Sequence, residues 1–416
     1  MSSKQAAHLS SHLPTHQPPY NILFTGGRSP ATLALIRRFA EAGHRCDVAE
    51  SLQPNLAGAS RACSKNFTVP APRQHTAAYI RALQAIIVER EIDLLIPTCE
   101  ETFYIAQHRE ALESTGKGCE VFTSDIASLH ELHSKYRFNQ LLQRLKLPAP
   151  ATERICNRDQ LKTRLRKWKD YVLKAEFSRF ASAVYMNAPR HKVYANVHPT
   201  PHTPWVLQEY LAGPQFCSYS VARQGKLTAH SVYPTIYTAG PGATIYFTSV
   251  DIPEIERIVH TLVAYLGYTG QISFDFILCQ GVYYPIECNP RTTTGTFLLE
   301  KEDDLPRAFL PPQTTLTPPI ATLRPPTRRP VALSIAMIAY AIPQNPLQTP
   351  RILKDLWRAH DPLIKWQDPG PFWQQFGMLF RTLQQAKKAG TDLLSASTLD
   401  IEWNGENCAL DTKQPD

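Results

Sequence analysis

The sequence predicts an α/β segment built on a small parallel sheet, then an α+β segment with long antiparallel strands, and finally a small C-terminal region. The first prediction rests on short apolar runs that alternate with helical patterns between residues 21 and 133, as in β-α-β units. The second rests on longer strand-like runs after residue 134, and the third on a Pro-rich stretch that precedes the tail. With 43% hydrophobic and 19% charged residues, the chain is expected to be globular.

The first segment opens with the apolar run 21–25 and a helical pattern in which Ser29 can cap the helix and Pro30 suits its first position. The elements predicted after it are a strand at 45–49, a helix at 77–90, a strand at 93–97, a helix at 100–112 and a strand at 120–122. Glu100 and Glu101 could bind an amine or cap the helix that they begin, and capping is the default expectation. This order is typical of a parallel sheet covered by helices.

The second segment opens with a predicted helix at 136–145, and its strand-like runs are 171–175, 205–210, 217–223, 271–278 and 283–288. The predicted divisions of the chain are a disordered lead-in at 1–20, a parallel-sheet domain at 21–133, an antiparallel-sheet domain at 134–305, a Pro-rich linker at 306–330 and an accessory region at 331–416. In the last region we expect a buried strand at 331–342 and a helix at 372–389. Three tryptophans are expected to pack this region onto the main body: Trp357, Trp366 and Trp373.

Composition argues against several classes of function. No apolar run is long enough to cross a bilayer, and the first twenty residues lack the apolar middle of a signal peptide. The nine cysteines form no C-x-x-C pair, which indicates reduced thiols and a cytoplasmic protein rather than a disulfide framework or a zinc site. The net charge of +8 suits an anionic ligand but is too small to indicate nucleic-acid binding. We therefore expect small-molecule substrates, with no nucleic-acid and no membrane partner.

Two carboxylates on neighbouring strands are the strongest signal of chemistry. Asp275 lies within one apolar strand and Glu287 near the end of the next, so that pairing across the intervening turn would bring them face to face. Asn289 shares the face of Glu287 at strand period. Two carboxylates and an amide oxygen are ligands that Mg²⁺ accepts, with phosphate oxygens completing its shell, and Arg291 could stabilise a transferred phosphoryl group. The alternative is a hairpin whose acidic groups point to water, although the apolar neighbours on both strands disfavour it.

Two further segments suit a nucleotide. Lys174 closes the apolar strand 171–174; it could bind phosphate at the mouth of a cleft or, as most such lysines do, extend from the surface into water. The small residues of the loop 178–182 could then fold over the phosphates. The strand 205–209 runs into polar residues and Gly213, an edge that can offer backbone groups to a purine or can simply be the end of a strand.

Taken in this order, these segments resemble the ATP-grasp superfamily, and most closely its branch related to carbamoyl-phosphate synthase and biotin carboxylase, from residue 21 to about residue 300. The resemblance implies a Rossmann-like domain followed by an ATP-grasp module of antiparallel sheets flanked by helices. It also implies ATP and Mg²⁺ (or Mn²⁺) as cofactors. The residues that it assigns are Lys135, Lys174, Gln208, Glu209, Tyr210, Leu211 and Gln215 to the nucleotide, Asp275, Glu287 and Asn289 to the metal, and Arg291 and Lys174 to catalysis.

Two positions depart from the family's pattern. Ser134 precedes Lys135 where the family has an acid, and Gln215 follows the hinge glycine where the family commonly has an acidic residue that contacts the ribose. Because an amide can still bond to a hydroxyl, we expect altered ribose contacts rather than lost binding.

A narrower resemblance is to the cyanobacterial ligases that join glycine to 4-deoxygadusol to make mycosporine-glycine. The stretches that carry it are 68–72, 269–273, 286–292 and 368–372. Together the two resemblances imply an ATP-dependent ligase that phosphorylates a carboxylate or enol oxygen of a small acceptor. Such an enzyme then couples the acceptor to an amine such as an amino acid and releases ADP and phosphate. A homodimer is a further prediction.

Two alternatives stay open at this point. A nicotinamide-dependent dehydrogenase would explain the leading β-α-β pattern and the position of Glu50 at the end of the second strand. However, Gly26-Gly27-Arg28-Ser29 is not the G-x-G-x-x-G that such enzymes use to bind pyrophosphate. The other alternative is a catalytically inactive ATP-grasp module, and the joint presence of the lysines, carboxylates and arginine named above speaks against it.

Overall fold

A parallel sheet forms the first part of the fold. The computed structural model describes residues 19–179, 183–240, 242–299, 305–311, 322–325 and 329–406. The strands of this sheet are Asn21–Thr25 (β1), Arg45–Glu50 (β2), Lys65–Thr68 (β3), Leu94–Ile96 (β4) and Glu120–Val121 (β5), and the helices between and after them are Pro30–Glu41 (α1), Thr76–Arg90 (α2), Thr102–Gln107 (α3), Arg109–Glu113 (α4) and Ile126–His133 (α5). The strands are parallel and stand in the order β3-β2-β1-β4-β5. The parallel sheet predicted from the sequence is confirmed.

The start of α1 shows why this segment folds as the sequence predicts. The hydroxyl of Ser29 accepts a hydrogen bond from the amide of Ala31 at 3.2 Å, and Pro30 occupies the first turn, where its missing N–H costs nothing. Leu33 and Ile36 are fully buried in the same apolar core as the strand residues Ile22 and Phe24, and this shared core packs α1 against the sheet.

Two antiparallel sheets form the second part of the fold. Their strands, with three short ones between, are Thr152–Ile155 (β6), Tyr171–Ala175 (β7), Val184–Met186 (β8), Trp205–Glu209 (β9), Gln215–Arg223 (β10), Lys226–Pro234 (β11), Thr238–Ala239 (β12), Ala243–Thr244 (β13), Tyr246–Phe247 (β14), Gly270–Cys279 (β15) and Val282–Asn289 (β16). One sheet has the order β6-β9-β7-β8 and the other the order β11-β10-β15-β16. The helices of this part are Lys135–Arg144 (α6), Arg158–Leu165 (α7), Arg190–Asn196 (α8), Pro253–Tyr265 (α9) and Leu305–Phe309 (α10). The α+β segment with antiparallel strands is therefore confirmed.

One predicted helix of these parts differs from the structure, and several elements were not predicted, among them β3, β6, β8 and β11. The helix expected at 100–112 is two helices that meet at His108, where φ is −117° and the imidazole contacts the carbonyl of Tyr104 at 2.9 Å. The strand β11 was not predicted, since its sequence mixes polar and apolar residues. It pairs along its length with β10, and this pairing buries even its histidine, His230.

The C-terminal region is mostly helical. Its elements are the strand Val331–Ala332 (β17) and the helices Ser334–Ala336 (α11), Ile342–Gln344 (α12), Thr349–Arg358 (α13), Gly370–Ala389 (α14) and Leu393–Ala396 (α15). The buried strand predicted at 331–342 is wrong beyond its first two residues, because a turn of π-helix at Met337–Ala341 follows α11. Met337 and Ala341 are buried whereas Ile338 is 54% exposed, which is a helical burial pattern. Periodicity does not separate a short buried strand from a helix in an apolar run of this kind.

The predicted packing of three tryptophans is also wrong. Trp357, Trp366 and Trp373 are 85%, 91% and 68% exposed. The C-terminal region is held instead by Trp403, which is buried and stacks on Phe103 of α3 with ring centroids 4.7 Å apart. Ion pairs contribute as well, and in one of them Nε of Arg37 on α1 donates to Asp368 at 2.9 Å.

Several predictions fall partly outside the described residues. These are the disordered lead-in (residues 1–18 of it), the loop expected over the phosphates (180–182) and most of the Pro-rich linker (312–321 and 326–328). The linker's first described residues belong to the buried helix α10. Within the described ranges, no helix has both the length and the apolar character needed to cross a membrane.

Candidate active site

The hairpin of β15 and β16 brings the predicted metal ligands together. Its turn is made by Gln280 and Gly281, whose φ angles are +49° and +79°. Asp275 lies opposite Glu287 in the register, and residues paired in this way project from the same face of a sheet. Asn289 lies two residues further on, and its Nδ2 donates to Oδ2 of Asp275 at 3.4 Å. The three side chains therefore form one group, whereas their role as ligands stays a prediction.

The electrostatics of this group suit a divalent cation. Burial, together with the neighbouring charge of Glu287, raises the pKa of Asp275 to about 6, and a cation would relieve both effects. Among the described residues no cluster of three or more His, Cys, Asp or Glu side chains could hold a metal. The donors at this position are two carboxylates and the amide oxygen of Asn289. Mg²⁺ is commonly bound by one or two carboxylates plus substrate phosphates. The donors fit Mg²⁺ that arrives with a nucleotide.

Two buried lysines lie beside these carboxylates. Lys174 lies on β7 in the other antiparallel sheet, and its Nζ donates to the carbonyl of Ile286 on β16 at 3.1 Å. Lys135 is the first residue of α6; its Nζ lies 3.1 Å from Oε1 of Glu287 and donates to the carbonyl of Ser178 at 3.2 Å. Lysines and carboxylates thus meet between the two sheets. We refer to Lys135, Lys174, Asp275, Glu287 and Asn289 as the inter-sheet cluster.

The ammonium group of Lys174 is poised to gain an anionic partner. Burial, and to a smaller extent the charge of Lys135, lowers its pKa to about 8, although the carboxylates of Glu287 and Asp275 oppose this shift. A buried lysine with a pKa this low lacks full compensation for its lost hydration. Phosphate oxygens would supply that compensation.

The residues that depart from the family's pattern take different positions. Ser134 caps α6, since its hydroxyl accepts from the amide of Arg137 at 3.1 Å and donates to the carboxylate of Glu176. Helix capping explains a serine at this position without any contact to nucleotide. Gln215 is exposed at the start of β10, where it is free of the packed core.

The predicted adenine hinge joins the two antiparallel sheets. Gln208 is buried on β9 and donates to the hydroxyl of Thr152 at 3.0 Å; the register places it on the face of the sheet that also carries Lys174. The segment that follows packs closely against β15. A Cβ on Gly213 would lie only 1.9 Å from the carbonyl oxygen of Leu278, so this position has room for glycine alone. The other hinge residues are Glu209 and Tyr210, which are exposed, and Leu211, which is buried. Their contact with adenine stays a prediction.

Arg291 pairs with Glu100, for which the sequence predicted a helix-capping role. Its Nη2 donates to Oδ1 of Asn289 at 3.2 Å, and its Nε lies 3.7 Å from the carboxylate of Glu100. Glu100 is 3% exposed and also binds Arg179, which in turn donates to the carbonyl of Trp403 at 2.5 Å. Glu100 therefore links Arg291 to the loop after β7 and to the C-terminal segment.

The capping role expected for Glu100 and Glu101 is wrong. Glu101 occupies the capping position of α3, yet its side chain makes no capping bond to that helix. Its Oε1 instead accepts hydrogen bonds from the hydroxyl of Thr25 at 2.6 Å and from the amide of Cys99 at 3.0 Å. The signal that could have revealed Glu100 is its place just after β4, at the carboxyl edge of a parallel sheet, where ligands often bind.

Glu50 is not placed to bind a ribose. Its carboxylate lies 2.6 Å from Nη2 of Arg28, which also pairs with Asp400 at 2.6 Å. Arg28 and Glu50 are both buried, so this network joins the C-terminal segment to the parallel sheet. The dehydrogenase alternative loses the acid on which it depended.

Three solved structures share this architecture. The L-amino acid ligase from Bacillus licheniformis is 16% identical, with 68% of this chain and 71% of that chain covered and a TM-score of 0.55. An N5-carboxyaminoimidazole ribonucleotide synthetase in complex with ADP is 13% identical, with coverages of 68% and 73% and a TM-score of 0.55. A biotin carboxylase from Campylobacter jejuni in complex with β,γ-ATP is 14% identical, with coverages of 70% and 72% and a TM-score of 0.54.

Sequence comparison adds nothing to these likenesses. No protein-family model matches the chain, and no curated protein matches it. At identities this low, structural likeness establishes the fold rather than the activity. The likeness confirms the predicted ATP-grasp fold, with a parallel-sheet domain ahead of two antiparallel sheets.

Proposed function

We propose that this protein is an ATP-dependent ligase that forms a carbon–nitrogen bond and releases ADP and phosphate. The observation that carries the proposal is the inter-sheet cluster: Lys135 pairs with Glu287, Asp275 lies opposite Glu287 in the hairpin, and Lys174 donates to the carbonyl of Ile286 beside them. Such a set can bind a metal–triphosphate complex from both sides, because the carboxylates suit the cation and the lysines suit the phosphates.

In the proposed reaction, Lys135 and Lys174 orient the triphosphate so that its γ-phosphoryl group faces an acidic oxygen of the acceptor. Asp275, Glu287 and Asn289 would hold Mg²⁺, which would supply neutralisation of the triphosphate charge. Asp275 and Glu287 orient the bound nucleotide by holding its cation, and Arg291 lies beside Asn289, where its guanidinium can stabilise charge on the transferred group. The residues supply position and charge, which is most of what phosphoryl transfer requires.

The bond changes follow from this arrangement. The acceptor oxygen, of a carboxylate or an enol, takes the γ-phosphoryl group while the bond from phosphorus to the bridging oxygen of ATP breaks, and ADP leaves. The amine nitrogen then attacks the activated carbon and gives up a proton, and the C–O bond breaks to release phosphate. The phosphorylated intermediate must be kept from water, a role we assign to the loop 178–182.

The finer substrate assignment is also a proposal. The stretches that resemble mycosporine-glycine-forming ligases favour a cyclohexenone enol as acceptor and an amino acid as amine, in the biosynthesis of a mycosporine-like natural product. The homodimer stays a prediction that light scattering of the purified protein can test.

The experiment is a screen for ADP release from Mg-ATP. Single amino acids are combined with cyclohexenone enols and with simple carboxylates, and ADP is measured with each substrate alone and with both. We expect release only when the right acceptor and amine are present together, and none from Glu287→Ala. An ATP turnover that Glu287→Ala leaves unchanged would contradict the proposed site, and nucleotide binding without turnover over the whole panel would favour an inactive binding module.

A further inference from the structure

A cationic cavity lies outside the inter-sheet cluster. It has a volume of about 180 Å³, and its walls come from α5, α6, β6, the segment before β9 and the end of the C-terminal segment. Four of its lining side chains carry or can carry positive charge: His130, Arg137, Arg154 and His202. Liquid water occupies about 30 Å³ per molecule, so the cavity has room for a small ion or molecule.

Helix geometry separates this cavity from the proposed nucleotide site. Lys135 and Arg137 stand two residues apart on α6, which places them about 200° apart around the helix axis. Lys135 reaches Glu287 in the inter-sheet cluster, whereas Arg137 lines the cavity. The two sites therefore lie on opposite faces of α6.

The positive charge in the cavity is only partly balanced. Arg154 binds the buried carboxylate of Glu176 through Nε at 2.6 Å, which leaves the terminal nitrogens of its donor fork to bind a further acceptor. Arg137 is exposed, and within the described ranges its guanidinium has no carboxylate partner. Burial, together with the charges of Arg137 and Arg154, lowers the pKa of His130, although the carboxylate of Glu176 opposes this shift.

We propose that this cavity binds a small anion, a carboxylate or a phosphate, at a site distinct from the ATP site. Arginine forks match the planar or tetrahedral oxygens of both groups and can bind them in bidentate fashion. A neutral His130 and the amide of Asn404 can add hydrogen bonds, and Phe177 provides an apolar wall. This proposal does not depend on the reaction that the inter-sheet cluster carries out.

The chain connects the two sites. Glu176 and Phe177 follow directly on β7, which carries Lys174, and Ser178 is the residue whose carbonyl binds Lys135. An anion that engages Arg154 would act on Glu176 and therefore on this short segment. We expect the anion to change the affinity for Mg-ATP, and by linkage Mg-ATP to change the affinity for the anion by the same factor.

The test measures binding of inorganic phosphate and of acetate by isothermal titration calorimetry to the full-length protein. Four forms are compared: the wild type, Arg137→Gln, the matched surface control Arg166→Gln and the ATP-site variant Lys174→Ala. Arg166 is exposed at the end of α7 and does not line the cavity. Because Arg137 is exposed as well, Arg137→Gln is expected to fold normally, which its unchanged melting temperature without anion would show.

We expect saturable binding of at least one anion, weakened roughly tenfold by Arg137→Gln, as for the loss of a charged hydrogen bond. Arg166→Gln and Lys174→Ala should bind like the wild type. Binding of phosphate alone would identify a phosphate site and binding of acetate alone a carboxylate site, and both support the proposal. It is overturned if the wild type binds neither ion, if Arg137→Gln binds as tightly as the wild type, or if Lys174→Ala removes the binding.

Discussion

The exchange Glu287→Gln isolates one charge of the inter-sheet cluster while keeping the size of the side chain. Glu287 is opposite Asp275 in the hairpin and 3.1 Å from Nζ of Lys135, so the amide removes a carboxylate that both the cation and Lys135 would use. Loss of an outer-shell partner of a metal typically costs about 10- to 100-fold in metal affinity, and loss of a direct ligand should cost at least as much. That range corresponds to about 1.4 to 2.8 kcal/mol.

The assay is the dissociation constant of ATP, measured with and without Mg²⁺. In the wild type, Mg²⁺ should strengthen ATP binding, and in Glu287→Gln most of that gain should disappear. Glu254→Gln is the matched control, because Glu254 is an exposed acid in the first turn of α9. The reasoning is refuted if Glu287→Gln gains as much affinity from Mg²⁺ as the wild type does.

Three further predictions concern pH, positioning and stability. Mg-ATP affinity should rise as pH increases through about 6, where Asp275 loses its proton, and fall above about 8, where Lys174 becomes neutral. Calorimetry across this range should therefore show a bell-shaped dependence of the affinity on pH, and a flat dependence would contradict this prediction. Glu100→Gln should lower the rate of ADP release about tenfold at saturating Mg-ATP, because Arg179 and Arg291 lose a charged partner. If ATP affinity fell tenfold as well, the variant would instead have a general structural defect. Trp403→Ala should lower the free energy of unfolding by about 3 to 5 kcal/mol in urea, because Trp403 is 1% exposed. Trp357→Ala, at an 85% exposed position, should change it little, and similar losses in the two variants would refute this account.

The hairpin that carries Asp275 and Glu287 was predictable from sequence because its signal is local. Strand period and a two-residue turn were enough to predict that Asp275 and Glu287 would face each other, and the register agrees. The position of Glu100 after β4 marks it as a candidate, but its partners were not predictable. Arg179 and Arg291 lie 79 and 191 positions away, and no local pattern encodes which side chains meet across such separations. The same holds for Trp403, whose stacking partner is 300 positions earlier in the chain.

Local order along the chain by itself determined that this protein has a parallel sheet followed by antiparallel sheets, and that two carboxylates and an amide share one face of a two-stranded hairpin. These properties follow from side-chain period and turn chemistry, which act over a few residues. Only the tertiary structure decided that Lys174 on one sheet bonds to the other sheet, and that Glu50 pairs with Arg28 rather than with a ribose. It also decided that Trp403 is the tryptophan that packs the C-terminal region, whereas Trp357, Trp366 and Trp373 are exposed. Those outcomes depend on which distant surfaces come together and exclude water, and that is a property of the whole packed chain.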